Sequence, residues 1–143
     1  MGYIEEIRRQ GRDANPFFTF MGIEIRSFGG GEAELAMEVT PRMYNGEGWM
    51  QGGIFSALSD EAMALALYTL LSEEETIATI SETTSFLRGI REGTVIARGK
   101  VIRKGKRIAF AEAAALLAGE GGHILSRSTA SFAVRSGPRV PQG

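Results

Sequence analysis

Three short stretches carry the residue types from which chemistry can be built. Asn45-Gly46 opens a glycine-punctuated loop, Gln51-Gly52-Gly53 closes it at the start of an apolar segment, and Asp60-Glu61 lies inside that segment. From Ala62 onward the segment has almost no polar side, and a helix that is apolar all round is a buried one. A carboxylate in such surroundings is costly unless it is paired or put to use. The rest of the composition narrows the chemistry. There is no cysteine, which excludes disulfides, thiolate nucleophiles and zinc–thiolate sites together. His123 is the only histidine and sits in a glycine-rich run that reads as a hairpin turn, so a histidine-based triad is not expected. Carboxylates, amides, hydroxyls and backbone groups remain.

Gly52 and Gly53 leave no serine, threonine or aspartate at a usual cap position, so the first amide N–H groups of the helix are expected to be free. With the helix dipole they suit an oxyanion forming at a carbonyl; the plainer reading is glycine required for close helix packing. Asp60, eight residues on, stands about 12 Å along the helix axis. One chain does not easily bring both to one carbonyl, but a dimer with antiparallel central helices does, by lending Asp60 of one subunit to Gly52 of the other. In that role Asp60 is a general base or a nucleophile; otherwise it is a carboxylate paired with an arginine at a dimer interface. Glu61 points about a quarter-turn away and reads as a structural or rim residue.

The elements that must position these groups follow from periodicity and turns. Residues 3–12 suit a short amphipathic helix with Tyr3, Ile4 and Ile7 on one side, broken at Asn15-Pro16. Phe17, Phe18, Phe20 and Met21 read as a greasy entry segment capping one end of the core. Residues 23–28 and 32–39 alternate as strands around Gly29-Gly30-Gly31, with Ala33, Leu35, Met37 and Val39 on the inner face. After the central helix the acidic run 72–75 is placed in a connection, because acids oppose the dipole at a helix C-terminus. Strands are expected near 77–88, 94–104, 107–118 and 123–135, the alanine-rich third one assigned by its flanking turns and length. Residues 136–143 read as a loose tail. The expectation is one α+β domain over 1–143, with one long helix wrapped by a single antiparallel sheet of about six strands. Its uncovered edge makes a dimer the expected solution.

The pattern resembles the hotdog fold and, within it, the PaaI-like acyl-CoA thioesterases. Asn15-Pro16-Phe17 followed by Met21-Gly22-Ile23-Glu24 resembles the family's lead-in to its first strand. Asn45-Gly46, then Gln51-Gly52-Gly53, then Leu58-Ser59-Asp60 resembles its Asn-x-x-Gly, His-Gly-Gly and Leu-Ala-Asp series. Ser85-Phe86-Leu87-Arg88 and Gly105-Lys106-Arg107 also fall where such proteins carry similar residues. Gln51 departs from the family's usual histidine, and glutamine cannot titrate. The resemblance implies hydrolysis of a small or medium acyl-CoA, some of them aromatic, by a homodimer or a dimer of dimers, with no cofactor or metal. It assigns Asp60, Gly52 and Asn45 to catalysis, Asn45 holding water or the thioester oxygen; the plainer reading of Asn45 is a common Asn-Gly turn. Gln51 and Gly53 would contact the thioester. Arg103, Lys104, Lys106 and Arg107, around Gly105, would grip the phosphates of coenzyme A, with Arg88 a further candidate, although basic hairpin tips also guard sheet edges. Trp49, Met50 and Tyr68 either line the acyl pocket or pack. A non-catalytic acyl-CoA binding protein is the alternative, and a hotdog hydratase would need the histidine that is missing.

A net charge of -1 offers no general attraction to nucleic acid or an anionic membrane. The alternating charges of the N-terminus lack the apolar core of a signal peptide, and the two carboxylates within 54–71 make that stretch a core helix rather than a membrane span. A cytoplasmic location is the expectation.

Overall fold

The computed structural model describes residues 2–119 and 121–137. Helix α1 (Tyr3–Gln10) buries Ile7 and runs through a 3-10 turn over Gly11–Ala14 into a second short helix, α2 (Pro16–Met21). Pro16 suits the first turn of a helix, where its missing N–H is not needed, and Asn15 caps it by accepting from the Phe17 N–H at 3.0 Å. The entry segment is therefore helical and two-sided: Phe18 is fully buried, whereas Phe20 is 79% exposed.

Strands β1 (Ile23–Gly29) and β2 (Glu32–Glu38) form the first hairpin, and α3 (Gly52–Tyr68) follows. Four further strands complete the sheet: β3 (Glu75–Phe86), β4 (Thr94–Lys104), β5 (Ile108–Leu117) and β6 (Ile124–Ser136). All pairings are antiparallel, in the order β1-β2-β4-β5-β6-β3. The alanine-rich segment is a strand, β5, whose small side chains let α3 lie close over the sheet centre. The expected inner face of β2 is buried at Ala33, Leu35 and Met37, and Val39 just beyond the strand is buried with them. Ser136 pairs with Glu75 at the end of β6, so the chain is still sheet where a tail was expected; residues 138–143 lie outside the described residues.

The helix touches all six strands. Its closest approach is over Gly99 of β4, where an added Cβ would lie 2.8 Å from the Met63 backbone N and closer still to the Ala62 carbonyl. Only glycine admits the helix backbone at that distance.

Strand β3 is one edge of the sheet and carries a bulge. Thr79 pairs with Phe132 and Ser81 with Ser131, leaving Ile80 unmatched. Opposed residues share a face, so Ile77 and Thr79 point with Val134 and Phe132 toward the helix. Beyond the bulge the parity switches, and Glu82, Thr84 and Phe86 share the inner face with Ala130, Ser128 and Ser126. Strict alternation would have sent Ser81 inward and Glu82 to the outside.

Candidate active site

The loop ahead of α3 is built on Asn45. Its Oδ1 accepts from the Glu47 N–H at 2.9 Å and the Trp49 N–H at 3.2 Å, and its own N–H donates to the Trp49 carbonyl at 2.7 Å. The side-chain oxygen is thus committed to the turn, and the amide Nδ2 is the group left for a ligand. Met50 N–H donates to the Ile90 carbonyl and Gln51 N–H to that of Met43, both at 2.9 Å, which anchors the loop as it enters the helix.

Gln51 is the N-cap of α3. Its backbone is extended, its carbonyl accepts from the Ile54 N–H at 3.0 Å, and its Oε1 accepts from the Gly53 N–H. The expectation of free amides at this entrance needs correcting here: a glutamine, absent from the usual cap residues, reaches back over one residue and satisfies Gly53. The Gly52 N–H donates to no described residue. A Cβ at Gly53 would displace Gln51 Oε1, 2.8 Å away at the end of a flexible side chain, and one at Gly52 would make ordinary contact with the Phe86 ring at 3.4 Å.

Midway along α3 the two acids face different neighbours. Thr79 Oγ1 donates to Asp60 Oδ1 at 2.8 Å. Burial raises the Asp60 pKa above its ordinary value, and the Thr79 bond pulls it partly back. Glu61 Oε2 accepts from Asn15 Nδ2 at 3.2 Å, and the same nitrogen donates to the Tyr3 hydroxyl at 2.9 Å. Burial pushes Glu61 up to about 7, against the Asn15 bond and helped by the charge of Asp60. Glu82, turned inward by the bulge, is the third acid: burial and then the charge of Asp60 push it up to about 7, while Thr84 Oγ1 donates to its Oε1 at 3.2 Å. No lysine or arginine among the described residues pairs with any of the three, so the arginine partner considered for Asp60 is not found among them. Glu61 is the part-buried member of a hydrogen-bonded chain. Glu82 and Thr79 escaped the sequence: the facing of Glu82 depends on a bulge that no local pattern marks, and the bond of Thr79 to Asp60 forms only once β3 packs on the helix.

The expected phosphate ligands divide between the two ends of α3. Lys104 Nζ bonds Glu75 Oε2 at 3.1 Å, and Glu75 opens β3 just after the helix C-terminus, so the turn with Arg103, Lys106 and Arg107 sits at that end. Gly105 is required by the turn itself, where an added Cβ would fall 2.5 Å from the Ile108 carbonyl oxygen. Arg88 is exposed two residues beyond Phe86, at the Gly52 end. Of the aromatic and thioether candidates, Met50 is in the core, while the Trp49 ring lies between Gly89 and the Arg91 guanidinium, 3.9 Å from its centroid. The Tyr68 ring packs against that of Tyr3 at a tilt of 57°, with centroids 4.8 Å apart.

Two cavities flank α3. One of about 780 Å³ lies at its N-terminal end between Phe17, Phe20, Met43, Gly53 and Ile54. The other, about 250 Å³, lies beside the acids between Glu61, Tyr68, Thr79 and Phe132. No cluster of three or more metal-ligating side chains occurs among the described residues, and none of their helices is long and apolar enough to cross a membrane.

One antiparallel six-stranded sheet wrapped on a single long helix, with a glycine entrance and an acid halfway along, defines a hotdog protein. Residues 47–121 match the sequence profile of the thioesterase superfamily, and the chain belongs to that family of thioester hydrolases. It is 33% identical over 95 residues to a candidate esterase of Haemophilus influenzae, covering 66% of this chain and 69% of that one. Among solved structures it resembles a thioesterase family protein from Silicibacter pomeroyi (25% identity, 95% and 100% of the two chains, TM-score 0.84). It also shares its fold with the Escherichia coli PaaI protein from the phenylacetic acid degradation operon (21% identity, 95% of each chain, TM-score 0.82).

Proposed function

We propose that this protein is an acyl-CoA thioesterase, hydrolysing a small or medium acyl-CoA to the free acid and coenzyme A. The observation that carries this reading is Asp60: a half-buried carboxyl, ion-paired with no cation among the described residues, held by Thr79 of β3 and standing on the helix whose entrance presents the Gly52 N–H. Structural need does not account for such a group, since an unpaired buried acid destabilises the fold.

The working unit in this reading is a homodimer, or a pair of them, each chain acting as one domain. Strand β3 is hydrogen-bonded on one side only, to β6, and carries Ile80 and Phe86, each 56% exposed, and beyond it Leu87 at 58%. A second copy across that edge covers them and sets Asp60 of one chain against Gly52 of the other. Asp60 takes a proton from water as the water oxygen bonds the thioester carbon; the Gly52 N–H donates to the resulting oxyanion. The C–S bond then breaks, and the coenzyme A thiolate takes up the proton from Asp60. Direct attack by Asp60, giving an anhydride that water opens, balances equally. Gln51 has no proton to give at neutral pH and orients the entrance by its cap on Gly53. Asn45 Nδ2 and Arg88 are the polar groups at that end for the substrate, and the turn with Arg103, Lys106 and Arg107 would meet it only across the subunit contact.

The test is thiol release from a panel of acyl-CoAs. Turnover is expected, and Asp60→Asn lowers kcat by at least about a hundredfold while the acyl-CoA still binds. Binding without turnover in either form would instead make the protein a non-catalytic acyl-CoA binder, the reading favoured by a glutamine in place of histidine.

A further inference from the structure

If Asp60 of one chain serves Gly52 of the other, two-fold symmetry requires the reverse contact as well, and the axis passes midway between the two residues. Strand β3 runs beside that stretch of α3 and marks the place. A Cβ at Gly52 would lie 3.4 Å from the Phe86 ring, and Thr79 bonds Asp60 at 2.8 Å. Midway from Thr79 to Phe86 stand Glu82 and Thr83. Facing then limits the register, because residues opposed across two strands share a face. Glu82 points inward, so in an antiparallel pairing of β3 with its own copy about this point it stands opposite either itself or Thr84, the next inward residue. In both registers the two Glu82 side chains are opposite or diagonal neighbours, within reach of each other.

The bulge at Ile80 is what turns this carboxyl inward. Thr84 Oγ1 donates to Glu82 Oε1 at 3.2 Å, which spends its one hydroxyl hydrogen, so Ser128 Oγ is the donor in the 2.8 Å bond between the two hydroxyls and the array ends on Glu82. The elements packed on β3 bring no opposite charge. From α3 comes Asp60, while Glu61 faces Asn15; β6 brings Ala130 and Ser128, which do not titrate, and Glu82 joins no ion pair among the described residues. Burial and then the charge of Asp60 push the Glu82 pKa up to about 7. An inward charge beside a sheet edge ordinarily discourages pairing, yet this edge exposes Ile80 and Phe86, each at 56%. An acid that is neutral part of the time reconciles the two features.

We infer that the two Glu82 carboxyls meet at the two-fold axis and hold at least one proton between them, so that the β3 edges pair when the proton is present and repel when both acids are ionised. This rests on the proposed two-chain site and adds what controls its assembly. The carboxyl O–H of one chain donates to the carboxylate of the other; the proton comes from solvent, and no heavy-atom bond changes. Two carboxylates sharing one place cannot both ionise at the usual pH, so the dimer binds the proton more tightly than the separate chain does. Association is therefore at full strength below about pH 7, where the separate chains already carry the proton. Above it the pair must take a proton up, and Kd rises by up to about tenfold per pH unit.

Dilution of fluorescently labelled protein at pH 7 and pH 9 gives the dimer Kd, and the rate of chain exchange replaces it where the dimer is too tight to dilute apart. Wild type is expected to weaken by at least about tenfold over that range, and Glu82→Gln, which keeps the shape and cannot ionise, by less than about threefold. Calorimetry of association at pH 8 in two buffers of different ionisation enthalpy reads the same proton without a variant, and it decides the matter where the glutamine form does not fold; net uptake approaching one proton per dimer is expected. Equal affinity at both pH values, a glutamine variant with the wild-type dependence, or association without proton uptake would each overturn the inference and leave the role of Asp60 standing. A protein that stays monomeric at every pH and concentration sinks the two-chain site as well.

Discussion

Thr79 and Asp60, on an edge strand and the central helix, are joined by a 2.8 Å hydrogen bond, and the bulge at Ile80, just beyond Thr79, turns Glu82 toward the helix as well. The bond favours the ionised form of Asp60 against the burial that opposes it. In Thr79→Val, which keeps shape and strand preference, the Asp60 pKa rises further. The acid limb of the kcat/KM profile therefore moves to higher pH, and Thr79→Ser restores it. A limb that stays put in the valine variant would show that the pair plays no part in turnover.

Removing the proposed oxyanion donor without disturbing the helix is feasible at Gly52. Proline is favoured at the first helical position, and the preceding Gln51 already has the extended backbone that proline demands, with φ -61° and ψ 132°. Gly52→Pro should fold with an unchanged circular dichroism spectrum and lose about a hundredfold to a thousandfold in kcat. Full activity in a folded proline variant would exclude that N–H from catalysis.

Glu61 also gives the fold a pH dependence. Its pKa rises from 4.5 to about 7 on folding, so between those values the native chain holds a proton that the unfolded chain has released. Stability from this group is complete below pH 4.5, declines as pH rises to about 7 and is level above it. Glu61→Gln should match wild type near pH 4 and exceed it near pH 8, by up to about 3 kcal/mol in urea unfolding. Glu82 titrates over the same range and remains, so the slope is reduced rather than removed.

Gly99 fixes how close α3 lies to the sheet. In Gly99→Ala the added methyl meets the backbone at Ala62 and Met63, which cannot swing aside as a side chain would. A loss of about 3 kcal/mol is expected, read as a melting temperature lower by about 6–12 °C. An unchanged melting temperature would mean that the helix is free to lift.

Local periodicity made much of this protein legible. The two-residue alternation of Ala33, Leu35, Met37 and Val39, the unbroken apolar run after Ala62 and the turn glycines suffice for six strands, one buried helix and their order. The eight-residue step from Gly52 to Asp60 is likewise local, because a helix converts sequence spacing directly into distance. What remained hidden depends on partners far apart in the chain. Gln51 is no favoured cap by type, yet its side chain satisfies Gly53 once the loop is pinned to Met43 and Ile90. Lys104 is drawn to Glu75, and Asn15 to Glu61, only when the strands and the N-terminal segment have packed. Most of all, the inward turn of Glu82 was settled by one unmatched residue: a bulge reverses the facing of everything beyond it, and its position answers to pairing with β6 rather than to any preference written in β3 itself.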